Sequence, residues 1–191
     1  RYGYAEGVAD CIVRRENDKK YSFRLVNELF DTFSADKAEL AAMVFDKCED
    51  YMKINVIKAI SDYRLFEFES MYIEGMSSKN PAMRIACVKA LGDLANPKNE
   101  QLLITATYDK DWVVRSSAVK GLGKIDTPRS LEGIKEAIKD KEWWVRQSAA
   151  GALINRNVSI LDIEDILGGY DKYAADAVKY ALYRSIDMKE G

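Results

Sequence analysis

Three arginines recur at a fixed interval: Arg84, Arg115 and Arg146 stand 31 residues apart. Acids crowd ahead of the last two, Asp109 and Asp111 before Arg115, Asp140 and Glu142 before Arg146. Guanidinium groups near carboxylates can pair with them in a bidentate fork or, if left open, hold another anion. Lys58, Lys89 and Lys120 repeat at the same interval, and Lys179 follows near the C-terminus. Trp112, Trp143 and Trp144 are the only tryptophans, and such rigid aromatics anchor protein interfaces. Histidine is absent, which removes imidazole acid–base catalysis, His triads and His metal sites. Cys11, Cys48 and Cys87 lie far apart without a CxxC pair, so they read as buried free thiols in a reducing compartment. No glycine-rich phosphate loop or nucleophile elbow occurs, and acid pairs such as Glu67/Glu69 read as solvated helix surface. No catalytic residue, cofactor site or metal site is therefore expected.

The elements that carry these residues follow from the repeat. Met83–Leu94 reads MRIACVKALGDL, Val114–Ile125 reads VRSSAVKGLGKI, and Val145–Arg156 reads VRQSAAGALINR. One period upstream, Met52–Tyr63 reads MKINVIKAISDY, with Lys53 at the arginine position. Val26 and Leu29 fall on the same apolar positions a further step back, and AVKYAL (Ala177–Leu182) repeats the core after a small deletion. Val114, Ala118, Leu122 and Ile125 recur at helical spacing, with Asp111 as an expected N-cap. Asp126-Thr127-Pro128 breaks the pattern, and Leu131, Ile134, Ala137 and Ile138 form a second stripe. Asn96-Pro97 repeats that break one unit earlier. Each unit is thus a pair of antiparallel helices, giving about twelve helices in all. Ala86, Ala90, Ala118, Gly121, Ala149 and Ala152 let helix axes approach closely. One pair cannot bury its faces alone, so the pairs must stack as a solenoid.

The runs D-x-D-W-V-V-R-x-x-A-V-x-x-L-G-x-I from Asp109 and D-x-E-W-W-V-R-x-x-A-A-x-A-L from Asp140 resemble the short HEAT-like repeats named after phycobilin lyases. The resemblance covers residues 50–156 well and the flanks weakly. It implies an all-α, right-handed α-solenoid of about six two-helix repeats with a period of 31, forming one domain over residues 1–191 with divergent capping repeats. It further implies that Arg84, Arg115 and Arg146 pair with the turn acids Asp109, Asp111 and Asp140 in a ladder, the alternative being an anion site. Second helices would line a concave face. Lys58, Lys89 and Lys120 could there meet an acidic or helical segment, although a solvated face is the plainer reading. Trp112 and Trp143 are expected to staple adjacent turns, and Trp144 to be exposed. Tyr170, Tyr173, Tyr180 and Tyr183 are expected to cover the last repeat, and Phe66, Phe68, Met71 and Tyr72 to pack. W-W-V-R-x-x-A-A-x-A-L, D-x-Y-A (Asp171–Ala174) and Y-A-L (Tyr180–Leu182) are similar to bacterial HEAT-repeat proteins with an N-terminal membrane anchor, encoded beside a membrane glycosyltransferase.

The leading functional expectation is a non-catalytic scaffold that binds a protein partner through Trp112, Trp143, Trp144 and the lysine series. A HEAT-like DNA-binding protein of the alkylpurine glycosylase type is the first alternative, on Asp111, Trp112, Arg115 and Trp144. Against it, 29 basic and 31 acidic residues leave a net charge of −2, which is wrong for tight duplex binding. A chromophore lyase subunit is the second alternative. No membrane span is expected within the chain, and the numbering opens at Arg1, so an upstream anchor at the cytoplasmic face of the membrane is part of the expectation.

Overall fold

A computed structural model describes residues 7, 10, 37–63 and 66–190. Cys11, Val26 and Leu29 lie outside the described residues. From Lys37 onward the described chain forms ten α-helices and two short 3-10 turns, with no strand among the described residues. The fold is all-α and of the α-solenoid class. It divides into two compact units, one within Arg1–Ala90 and the other within Leu91–Gly191.

In the first unit, α1 (Lys37–Lys47) packs on α2 (Asp50–Asp62), and a 3-10 turn at Phe66–Phe68 leads into α3 (Glu69–Gly75). Helix α4 (Pro81–Leu94) follows and runs through the point of division. Met52, Ile57, Ile60, Tyr72, Cys87 and Val88 are buried here. Burial pushes the Cys87 thiol up to about 12, so it behaves as a small packing residue and not as a nucleophile. The 31-residue arithmetic places Lys53 at an arginine position, but its ammonium lies over the Phe45 ring, 5.2 Å from the centroid.

In the second unit, α6 (Trp112–Leu122), α8 (Trp143–Asn155) and α10 (Lys172–Glu190) pack side by side. Helices α5 (Glu100–Ala106), α7 (Pro128–Ala137) and α9 (Ile160–Leu167) flank them. The two stripes read from the sequence form the core except at Leu131, which is only half-buried: Val114, Ala118, Leu122, Ile125, Ile134 and Ile138 are all essentially inaccessible. Each pair opens at its own punctuation. Asp111 accepts the Val113 amide at 2.8 Å, and Thr127 and Ser130 form a capping box with Pro128 in the first turn. Ser159 and Asp162 form another box at the start of α9. At the other end, Ala95 after α4 and Asn157 after α8 both have φ of 52°, the left-handed geometry that ends a helix.

Small residues set the closest packing. A Cβ on Gly121 would meet the Gly92 Cα at 2.8 Å, and one on Gly92 would meet the Gly121 Cα at 2.7 Å. The backbones of α4 and α6 therefore touch through these two glycines, closer than any pair of alanines allows.

Candidate functional site

The site begins with an arginine doing two jobs. Arg115 lies in the first turn of α6, with its side chain almost fully buried. Nη1 donates to the carbonyls of Asp109 and Lys110 at 2.9 and 3.3 Å, satisfying the turn before its own helix. The opposite edge forks onto the next repeat: Nε donates to Asp140 Oδ2 at 2.6 Å and Nη2 to Oδ1 at 2.9 Å. Asp140 Oδ1 also accepts the Glu142 amide at 2.8 Å. Burial works against the Asp140 charge, but the Arg115 hydrogen bonds, the Glu142 amide and the guanidinium charge outweigh it. They hold the carboxyl below the usual carboxylate range. The same contact raises Arg115 further.

The carbonyl half of this pattern recurs with the sequence period. Arg84 Nη1 donates to Ser78 and Lys79 carbonyls at 2.9 and 3.3 Å, and Arg146 Nη1 to those of Asp140 and Lys141 at 2.7 and 2.9 Å. Asp109 takes part through its carbonyl and also accepts the Asp111 amide at 2.8 Å. Asp111 caps α6 through the Val113 amide and makes no hydrogen bond to an arginine among the described residues. Arg146 differs on its other edge: the Tyr173 ring lies 5.4 Å from its guanidinium carbon, and its buried Nε has no hydrogen-bond partner.

The three tryptophans come together on the surface of the second unit. Trp112 opens α6, and Trp143 and Trp144 open α8, because Asp111 and Glu142 end the preceding turns at equivalent positions. Trp112 and Trp144 stack with centroids 6.4 Å apart and planes inclined by 23°. Trp143 meets Trp144 edge-on at 4.5 Å and 81°. Trp144 is thus the joint between the other two. Their exposures are 40, 46 and 58% for Trp112, Trp143 and Trp144, so a continuous indole surface faces solvent. Below it, the Ser116 and Ser148 hydroxyls share a 2.7 Å hydrogen bond between α6 and α8. One period after Lys120 stands Gly151, where an added Cβ would meet nothing within 4 Å.

The lysines are distributed differently. Lys58 on α2 and Lys89 on α4 are exposed in the first unit, and Lys120 on α6 is exposed in the second. The C-terminal tyrosines do not cover the last repeat. Tyr170, Tyr173, Tyr180 and Tyr183 are exposed, because α10 buries a stripe of small residues instead, Ala174, Ala177 and Val178.

Sequence reasoning missed Arg156. Its Nη1 donates to the Ile125 carbonyl at 2.8 Å and Ser130 Oγ at 2.6 Å, and its Nη2 to Asp126 at 2.9 Å. It clamps the turn between α6 and α7 from the end of α8. The signal was present, since Arg156 replaces Ile125 and Leu94 at an otherwise apolar repeat position.

Among the described residues, no group of acids, cysteines or histidines could hold a metal, and no helix is long and apolar enough to cross a membrane. Residues 70–154 match the family model described as HEAT repeats. No curated protein matches the chain. The solved complex of CpcE and CpcF of phycocyanin lyase from Nostoc sp. PCC7120 is similar at 20% identity and a TM-score of 0.56, over 78% of this chain and 99% of that one. An engineered protein is similar at 13% identity and a TM-score of 0.53, over 96% of each chain. At these identities the likeness is one of fold.

Proposed function

From the premise that this chain is a HEAT-like repeat protein, we propose that it is a non-catalytic scaffold whose partner docks on the indole surface of Trp112, Trp143 and Trp144. The observation that carries this reading is the Trp112–Trp144 stack, with Trp143 against its edge and all three rings open to solvent. Exposing three of the largest apolar side chains in one patch gains nothing for a solitary domain, whereas a partner that covers them gains desolvation and rigid shape. Stacking holds each ring in place before the partner arrives, which lowers the ordering cost of binding. Exposed Lys58 and Lys89 in the first unit, and Lys120 in the second, favour an acidic or helical segment in the partner.

The finer reading places the protein in the cytoplasm, with a membrane-associated glycosyltransferase or polysaccharide system as its partner. It rests on the short W-W-V-R, D-x-Y-A and Y-A-L resemblance. Affinity capture from cells of the source organism tests both levels. Trp144→Ala, which removes the joint of the cluster, weakens capture of the partner while the far-ultraviolet circular dichroism stays helical. Lys89→Glu with Lys120→Glu weakens it too. Undiminished capture by both variants overturns the proposed surface, and recovery of partners without any glycosyltransferase overturns the finer reading alone.

A further inference from the structure

The Arg115 rung is complete, and the Arg146 rung is half built. In the first, Nη1 holds two carbonyls while Nε and Nη2 grip the two oxygens of Asp140. In the second, Nη1 again holds two carbonyls, but Nε is buried without a partner and Nη2 makes no hydrogen bond among the described residues. A planar pair of N–H donors is left facing no acceptor, at a group that is always charged.

The missing acid has a traceable cause. Asp140 stands two residues before Glu142, the N-cap of α8. The equivalent cap of α10 is Asp171, whose Oδ1 accepts the amides of Tyr173 and Ala174, both at 3.0 Å. Two residues before Asp171 lies Gly169, which carries no carboxylate. A Cβ there would lie 2.6 Å from the Asp165 carbonyl oxygen, so the local backbone excludes a side chain at the position where the previous repeat keeps its acid.

A surface cavity of about 310 Å³ opens at this place, lined by Lys139, Asp140, Lys141, Arg146, Asp171 and Tyr173. Asp140 is already neutralised by Arg115, so Lys141 and the open edge of Arg146 outnumber the single remaining carboxylate, Asp171, whose Oδ1 is held by the start of α10. Tyr173 lies over the guanidinium but is 71% exposed, so its ring has room to swing away. We propose that the Arg146 edge is a carboxylate-binding site, completed from outside by an acidic side chain or a chain-terminal carboxylate of a partner. The ligand oxygens take the places at Nε and Nη2 that the Asp140 oxygens take at Arg115. This site is separate from the tryptophan surface and stands or falls without it.

The test follows the Nε–Hε resonances of the arginines in the full, 15N-labelled chain at constant ionic strength, with Arg146 assigned through Arg146→Lys. N-acetyl-aspartate N-methylamide presents a side-chain carboxylate and N-acetylglycine a terminal one. Either probe should move the Arg146 resonance saturably toward the position of Arg115, while Arg115 stays still. The response of the Tyr173 amide should weaken about tenfold in Arg146→Lys, which keeps the charge and loses the fork. The relative response to the two probes identifies the source of the carboxylate. Three results overturn the proposal: no movement beyond a chloride control, tighter binding of inorganic phosphate than of either carboxylate, or an unliganded Arg146 resonance already paired and released by Asp171→Asn. The last would mean that Asp171 closes the rung from within.

Discussion

A single carboxylate, Asp140, joins two repeats by accepting from Arg115 on one side and from the start of its own helix on the other. Asp140→Asn leaves Arg115 buried with its charge uncompensated and should cost about 3 kcal/mol, measured by chemical denaturation. The pH dependence has a definite sign. The folded Asp140 carboxyl is held below its unfolded value, so its stabilisation is fully present above the ordinary aspartate range, near pH 4, and is lost as pH falls through the depressed folded value. The gap between the protein and Asp140→Asn should therefore narrow on acidification; a gap that stays constant to low pH contradicts the rung. At this scale the sequence was informative where a residue broke solvent chemistry in the open. Trp144 was legible as exposed because it replaces Val113 beside the core residue Val145. The C-terminal tyrosines were not legible, because their identity suggests packing while only the small residues between them show which face of α10 is buried. The Gly169 defect was hidden as well. The period of 31 aligns Asp171 with Asp140, and only the observed start of α10 shows that Asp171 caps that helix, with Gly169 two residues ahead of it.

Two glycines in neighbouring helices illustrate how elements are fixed. Gly121 on α6 is pressed against the backbone at Gly92, and Gly151, nearly one period further on in α8, faces open space. Gly121→Ala should destabilise by roughly 2 kcal/mol, because the clash is with backbone and cannot be relieved by a rotamer. Gly151→Ala should stabilise by up to about 1 kcal/mol, since glycine in a helix interior carries an entropic cost with no contact to justify it. Thermal unfolding of the two variants should show opposite shifts in Tm, and shifts of the same sign would contradict the packing described. The helical stripes, the cap at Asp111, the break at Asp126-Thr127-Pro128 and the pairing of helices followed from periodicity and punctuation alone. Which glycine is a contact and which a gap depends on the distance between helices, which no spacing within one helix encodes.

At the scale of the whole molecule, two compact units share helix α4. The reading of residues 1–191 as one repeat domain is a proposal with a direct test, because the natural probes are segregated. All three tryptophans lie in the second unit, and the buried Cys48 and Cys87 thiols lie in the first. One domain predicts that tryptophan fluorescence and thiol accessibility change at the same denaturant concentration, and separated midpoints would define two domains. The class of fold was legible because a 31-residue repeat repeats its own core. The function was less so, since repeat consensus dictates most of what is visible and only the departures from it point to a ligand. The rung also bears on how such a gene can grow. Arg115 reaches forward to the following unit, and Asp140 reaches back from it, so at this junction one block carries the plug and the next the socket. A tandem duplication in phase delivers plug and socket together and needs no compensating substitution at the new junction. A crossover out of phase strands a buried cation, and the folding penalty removes that recombinant before any partner is consulted.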